Sequence, residues 1–220
     1  AALGSARGGF PYYVLGTMLL FGALMGRLIC GFLCPFGFLQ DLIFKIKTRK
    51  LKVARRLDRV LRLLKYVLLI VMVVLLPALT SQGLGGGTPY FCKYICPAGT
   101  LEGGVPLVLG NASLRETVGW LFNWKLFVLV AVLVGSVFLF RPFCKYLCPL
   151  GAFYGLFNRI ALYRMEVESA RCARCGLCER VCPMGVDVLT NINAIECIRC
   201  GACKRACPHG AISSGLWPIK

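Results

Sequence analysis

Eight cysteines near the C-terminus constrain this chain more than any other feature. They form the pattern C-x2-C-x2-C-x3-C-P twice, first at Cys172, Cys175, Cys178 and Cys182, then at Cys197, Cys200, Cys203 and Cys207. Three cysteines on one tight loop can bind three corners of an iron–sulfur cube, and the fourth ligand must come from elsewhere. In two-cluster proteins with this pattern, the fourth cysteine of each run binds the other cluster.

The crossed pattern predicts two [4Fe-4S] clusters. Cluster 1 is predicted to bind Cys172, Cys175, Cys178 and Cys207, and cluster 2 to bind Cys197, Cys200, Cys203 and Cys182. Zinc sites and disulfide bonds are the alternatives, and the doubled spacing argues against both. Residues 166–220 are therefore predicted to form an α+β ferredoxin-like domain. Its loops are expected to use positive φ at Gly176, Gly185, Gly201 and Gly210.

Basic residues surround the two cysteine runs, at Arg171, Arg174, Arg180, Arg199, Lys204 and Arg205. Their charge would stabilise the reduced clusters or bind an acidic electron carrier. A solvated basic rim is the alternative interpretation.

The remainder of the chain is strongly apolar. With 58% hydrophobic residues and a mean hydropathy of +0.72, the sequence is too apolar for one soluble domain. Three stretches, 10–29, 61–80 and 120–140, have about the 20 residues that a helix needs to cross a bilayer. The predicted fold is therefore a mainly α membrane domain of about three transmembrane helices over residues 1–165, followed by the ferredoxin-like domain.

Charge sets the predicted orientation of these spans. The chain has 26 Lys and Arg against 9 Asp and Glu. A dense basic segment separates the first two spans, at Lys45, Lys47, Arg49, Lys50, Lys52, Arg55, Arg56, Arg59, Arg62 and Lys65. The positive-inside rule puts this segment in the cytoplasm, residues 81–118 outside, and everything after Arg141 inside. The N-terminus would then lie outside, which predicts an earlier span.

A second motif, C-x-x-x-C-P-x-G, follows each apolar stretch. Its three copies contain the pairs Cys30 and Cys34, Cys92 and Cys96, and Cys144 and Cys148. Proline after the second cysteine disfavours helix, so each pair is expected at a helix end. Because each copy offers only two thiolates, two copies must combine to bind one cluster.

The predicted orientation groups two of these copies on the cytoplasmic side. A third iron–sulfur cluster is expected there, bound by Cys30, Cys34, Cys144 and Cys148. Redox-active thiols and inert cysteines are the alternatives. Cys92 and Cys96 lie on the opposite side and are predicted to form a disulfide or dithiol redox pair, with half of a cluster site as the alternative.

These motifs resemble the membrane polyferredoxins of the NapH, NosR and MauN type. The segments that carry the resemblance are GRLICGFLCPFG, RPFCKYLCPLGAFYGLFNRI and the paired ferredoxin motifs. The resemblance implies two cytoplasmic CxxxCP motifs, at Cys30, Cys34, Cys144 and Cys148, and a cytoplasmic ferredoxin domain. It also implies electron transfer between quinol or a flavoprotein and a partner reductase or maturation system. The copy at Cys92 departs from that pattern and suggests an exoplasmic partner.

The leading functional hypothesis is a multi-pass electron-transfer subunit of the cytoplasmic (inner) membrane, with ferredoxin or quinol as donor and a partner oxidoreductase as acceptor. A transmembrane thiol reductant using Cys92 and Cys96, and an iron–sulfur sensor or maturation factor, are the alternatives. Expected partners are membrane lipid, an acidic electron carrier, redox subunits, quinol or a flavoprotein, and not nucleic acid. The single histidine, His209, follows the last cluster motif and is expected at the surface. Because two histidines are needed for a haem b in the membrane and no CxxCH motif is present to attach a haem c, no haem is predicted. No catalytic residue is predicted.

Overall fold

A computed structural model describes residues 12–51, 53–80, 90–110 and 119–216. Within them, contacts divide the chain into two compact units. The first unit comprises residues 39–149, and the second comprises residues 12–38 together with 150–216. The predicted start of the first span at residue 10, Lys52, and residues 81–89 and 111–118 of the segment predicted to lie outside the membrane fall beyond the described residues. The predicted domain boundary at residue 165 stays a prediction.

Most described elements are helices. The α-helices are Tyr12–Met25, Leu28–Phe32, Pro35–Phe44, Arg55–Leu68, Leu76–Thr80, Tyr90–Tyr94, Pro97–Gly99, Val105–Gly110, Trp120–Phe138, Pro149–Phe157, Leu177–Arg180 and Ala202–Ala206. Three π-helical segments interrupt them, at Leu69–Leu75, Thr100–Gly104 and Phe143–Leu147.

The Trp120–Phe138 helix agrees with the third predicted span. Its 19 residues have a mean hydropathy of 2.0, and it is the one helix among the described residues that is long and apolar enough to cross a bilayer alone. It ends two residues before the predicted boundary, because Leu139 turns to an extended conformation. About three transmembrane helices were predicted, and among the described residues one helix has the length and hydropathy that this role requires.

The second predicted span is helical throughout residues 55–80, but it is not one α-helix. It begins at Arg55, six residues before the predicted start at residue 61, and changes to π-helix at Leu69–Leu75. Pro77 follows this segment and has no N–H to continue the α-helical bonding pattern. The Leu76 N–H, immediately before the proline, donates to the Val71 carbonyl five residues back, which is the bonding pattern of a π-helix.

Within the first predicted span, 10–29, the described residues do not form one continuous helix, and the span itself stays a prediction. The Tyr12–Met25 helix has 14 residues and ends at Gly26, whose φ is +55°. The next N–H, of Arg27, donates to the Asn158 side chain at 3.0 Å rather than continuing the helix. An added Cβ at Gly26 would lie 2.6 Å from the Asn158 Oδ1 atom, so glycine is required at this break.

A two-stranded antiparallel sheet closes the C-terminal part of the second unit. Strand β1 (Tyr163–Val167) pairs with strand β2 (Ile212–Leu216), in a register that aligns Tyr163 with Leu216 and Val167 with Ile212. The core beneath it consists of Met165, Cys178, Val188, Ile192, Cys203 and Ile212. The expected α+β arrangement is present, and its first strand begins three residues before the predicted domain start at 166.

Candidate iron–sulfur sites

The two ferredoxin cysteine runs have the same backbone conformation. Gly176 and Gly201, 25 residues apart, have φ values of 70° and 72° and each precede a short helix. The third cysteine of each run, Cys178 or Cys203, lies buried in that helix. The expected positive φ at all four loop glycines is confirmed. Arg174 and Arg199 also have positive φ, which the sequence analysis missed.

Each cavity in this region is lined by four cysteines, three from one run and one from the other. One cavity is lined by Cys172, Cys175, Cys178 and Cys207, and the other by Cys182, Cys197, Cys200 and Cys203. These are the two crossed sets that the spacing predicts, although their role as iron ligands stays a prediction.

The chemistry of these cysteines fits a cluster. All fourteen cysteines of the chain are free. Among the described residues, no three His, Cys, Asp or Glu side chains are grouped so that they could hold one metal ion. The sulfurs instead surround a cavity, which is the arrangement that a four-iron cube requires.

Burial makes several of these thiols hard to ionise. It raises the pKa of Cys203 to about 11, and the neighbouring Cys197 and Cys200 add to the shift. Burial likewise raises the pKa of Cys197 and of Cys178. Because metal binding requires thiolates, cluster assembly in this domain must release protons.

A buried polar network holds the loop that carries Cys197 and Cys200. Arg199, 3% exposed, donates to the carbonyls of Met25 and Asn158, each at 2.8 Å. The fully buried Asn158 side chain donates to the Cys197 carbonyl at 2.6 Å. Arg174, which occupies the matching position in the first run, is exposed. Through Arg199, the second loop is bound to the end of the Tyr12–Met25 helix.

Arg27 extends this network from the first CxxxCP copy. Its guanidinium is fully buried, donates to the Ile195 carbonyl and pairs with Glu196, both at 2.9 Å. Four residues later, an added Cβ at Gly31 would lie 2.7 Å from the Ile198 carbonyl oxygen. The helix of Cys30 thus packs directly on the loop of Cys197. This contact was not predicted from the sequence. Its one local sign was Arg27, a single arginine within an apolar run.

All three CxxxCP copies share one backbone geometry. In each, the N–H of the second cysteine donates to the carbonyl five residues back, and the next residue is the proline that begins a helix. The pairs are Cys34 with Ile29 at 3.1 Å, Cys96 with Phe91 at 3.0 Å, and Cys148 with Phe143 at 2.9 Å. The prediction that these cysteines lie at helix ends is confirmed.

The surroundings of the copies differ. Cys144 is buried, and the Gln40 side-chain amide donates to its sulfur at 3.8 Å. Cys92 is exposed, and its pKa is raised by partial burial of the sulfur and by the neighbouring Cys96. The four cysteines predicted to bind a third cluster are divided between the units, with Cys30 and Cys34 in the second and Cys144 and Cys148 in the first.

A 4Fe-4S binding domain family matches three segments, 8–54, 65–109 and 120–165, and each segment contains one CxxxCP copy. A second 4Fe-4S binding domain family matches residues 190–213, which hold the second ferredoxin run. The family thus covers most of the chain. It also includes the copy at Cys92, which the sequence analysis had set apart.

Several curated proteins are similar to this chain. An uncharacterized protein of Methanocaldococcus jannaschii is 32% identical over 189 residues, covering 83% of this chain and 69% of the relative. The methylamine utilization ferredoxin-type protein MauN of Paracoccus denitrificans is 31% identical over 189 residues, covering 82% of this chain and 59% of the relative. The regulatory protein NosR of Pseudomonas aeruginosa is 29% identical over 176 residues, covering 77% and 21%. No solved structure matches.

Proposed function

Since this chain belongs to the 4Fe-4S binding domain family and is related to the MauN and NosR proteins, we propose that it transfers electrons within a membrane redox complex. A bound [4Fe-4S] cluster takes up and releases single electrons. The observation that carries the proposal is the pair of cavities, each lined by four cysteines from both runs.

The residues of the protein would bind the clusters and exclude water from them. Cys172, Cys175, Cys178 and Cys207 would hold cluster 1, and Cys197, Cys200, Cys203 and Cys182 would hold cluster 2. The cavity of the second set is also lined by Met165, Val186 and Ile192, whose apolar side chains keep water from the sulfurs. A dry, low-dielectric shell of this kind helps to set a cluster's reduction potential.

A third cluster, bound by Cys30, Cys34, Cys144 and Cys148, is part of the proposal. The shared backbone geometry of the CxxxCP copies and their match to a 4Fe-4S binding domain support it. The four thiolates required would come from two copies.

The proposed location is the cytoplasmic membrane, with several spans and the ferredoxin-like domain in the cytoplasm. The apolar Trp120–Phe138 helix and the basic segment before the second span support this placement. The donor would be a soluble acidic carrier or a quinol, and the acceptor a partner oxidoreductase.

A thiol function for Cys92 and Cys96 is the second candidate. The Cys92 thiol is exposed and hydrogen-bonded to Cys96, an arrangement from which a disulfide can form. Its raised pKa lowers the thiolate fraction at neutral pH, however, and the thiolate is the reactive form. Electron transfer through iron–sulfur clusters is therefore the better-supported function.

Iron and sulfide analysis with EPR on the anaerobically purified full chain tests the proposal. We expect iron for three clusters, and we expect Cys148→Ser to remove one paramagnetic centre while leaving the two ferredoxin clusters. Cys200→Ser should instead alter cluster 2 and leave the third centre. If Cys148→Ser keeps all the iron, the third cluster is refuted. If the parent protein holds no iron, the electron-transfer function is refuted as well.

A further inference from the structure

One arginine of the second ferredoxin run is buried beside its cysteines. Arg199 lies between Cys197 and Cys200, is 3% exposed, and is among the residues that line the cavity of the cluster 2 set. Its counterpart in the first run, Arg174, also has a positive φ, 50° against 55°, but is exposed. The two loops therefore share a backbone conformation and differ in whether water reaches the arginine.

The Arg199 guanidinium has carbonyl partners rather than a carboxylate. It donates at 2.8 Å to the Met25 carbonyl, where the Tyr12–Met25 helix ends, and at 2.8 Å to the Asn158 carbonyl. Among the described residues, no carboxylate forms an ion pair with it, and its buried Nε atom has no hydrogen-bond partner. Since arginine stays protonated in proteins, this side chain brings a full positive charge that no counter-charge balances.

The second buried arginine of this region does not add to that charge. Arg27 is fully buried and forms an ion pair with Glu196 at 2.9 Å, so these two charges largely cancel. Glu196 directly precedes Cys197 in the chain. Among the described buried side chains that bind this loop, the uncompensated charge is therefore that of Arg199.

We propose that the buried charge of Arg199 raises the reduction potential of cluster 2, an inference that rests on the two ferredoxin clusters proposed above and not on the third. One-electron reduction by the proposed donor adds negative charge to the cluster and its sulfur ligands. The apolar lining of Met165, Val186 and Ile192 keeps away the water that would stabilise that charge. A cation in such a low-dielectric site attracts the added electron strongly, whereas water screens the exposed Arg174. Arg199 thereby offsets the cost of reducing a cluster in an apolar cavity.

Arg199→Gln and its matched control Arg174→Gln test this role. An EPR-monitored redox titration of the anaerobically purified full chain gives the midpoint potential of each ferredoxin cluster, and cluster 2 is identified as the centre that Cys200→Ser alters. We expect Arg199→Gln to lower the equilibrium constant for reduction of cluster 2 on the order of tenfold, about 59 mV for one electron. Arg174→Gln should change the potential of cluster 1 much less. Arg199→Lys keeps the charge and should restore most of the potential.

Glu196→Gln is a variant with the opposite expected shift. It removes the negative charge next to Cys197 and leaves the Arg27 charge unpaired, so the potential of cluster 2 should rise. If Arg199→Gln does not assemble cluster 2, Arg199→Met replaces it, because that variant removes the charge without burying an unpaired amide. Should neither neutral variant assemble, Glu196→Gln decides, and an unchanged potential in it would overturn the proposal.

The remaining outcomes separate this inference from the function on which it rests. An unchanged potential of cluster 2 in Arg199→Gln, with both ferredoxin EPR signals present, would overturn the role of Arg199 and leave the electron-transfer function standing. Equal shifts in Arg199→Gln and Arg199→Lys would also overturn it, because the potential would then follow the structure of the loop rather than its charge. A parent protein without iron would overturn both the inference and the proposed function.

Discussion

Gly31 lies where an added side chain has no room. Its nearest neighbour is the carbonyl oxygen of Ile198, a backbone atom between the proposed ligands Cys197 and Cys200. The hydrogen bonds from Asn158 and Arg27 hold the same loop at the carbonyls of Cys197 and Ile195, so it cannot easily move away. The close approach of helix and loop therefore depends on glycine at this position.

We predict that Gly31→Ala destabilises the protein by about 1–3 kcal/mol, because overpacking at a fixed backbone contact outweighs the better helix propensity of alanine. The measurement is the denaturant concentration at which cluster absorbance is lost. Gly16→Ala is the control, since Gly16 lies in the Tyr12–Met25 helix with nothing within 4 Å of the added Cβ. Equal behaviour of the two variants would show that the contact with Ile198 carries no strain.

At the scale of elements, Asp58 joins two helical segments of the first unit. It lies in the first turn of the Arg55–Leu68 helix and accepts hydrogen bonds from Tyr146, at 2.5 Å, and Lys145, at 2.6 Å. Both donors belong to the π-helical segment between Cys144 and Cys148. It also pairs with Arg62 in its own helix. One carboxylate thus fixes the third CxxxCP copy against the basic helix.

We predict that Asp58→Asn destabilises the first unit by about 1.5–3 kcal/mol at neutral pH, the range for hydrogen bonds to a charged group. Partial burial opposes ionisation of Asp58, but the hydrogen bonds from Lys145 and Tyr146 outweigh it, so its pKa lies below the ordinary 3.8. A lowered folded-state pKa gives stability that is present above 3.8 and is lost as the pH falls through the folded value.

The difference in stability between the parent protein and Asp58→Asn should therefore shrink on acidification below pH 3.8 and stay constant above it. Glu168→Gln is the control, because its ion pair with Arg171 is exposed and is worth little. A stability difference that does not change with pH would contradict the electrostatic explanation.

Sequence patterns predicted elements where the determining signal is local. Proline after Cys34, Cys96 and Cys148 fixes helix ends, and uninterrupted apolar residues define the Trp120–Phe138 helix. The break at Gly26 was not predictable in the same way. It depends on the hydrogen bond from the Arg27 N–H to Asn158, 131 residues further along the chain, and such partners do not appear in a hydrophobic pattern. The π-helix at Leu69–Leu75 was also missed, although Pro77 was visible.

At the scale of the whole molecule, cysteine spacing predicted the composition of the two cavities, because each fourth cysteine lies at a fixed distance beyond a short helix. The hydrogen bond from Gln40 to the Cys144 sulfur, 104 residues away along the chain, was not predictable, since three copies can pair in more than one way. The proposed membrane orientation concerns the entire chain and rests on the distribution of its basic residues. It can be tested at the one copy that is predicted to face outside.

We predict that an impermeant maleimide labels Cys92 in right-side-out vesicles after mild reduction, and labels no cysteine of the cytoplasmic groups. Cys92 is exposed, and the proposed orientation, which is based on the basic segment before the second span, puts its copy outside. Because the pKa of Cys92 is raised, labelling should be slow at neutral pH and should continue to accelerate beyond the pH at which an ordinary thiol is fully ionised. Cys92→Ser is the control that should abolish the signal. Labelling of Cys92 in inside-out vesicles alone would reverse the proposed orientation, and iron loss in Cys92→Ser would identify this cysteine as a cluster ligand instead of a thiol.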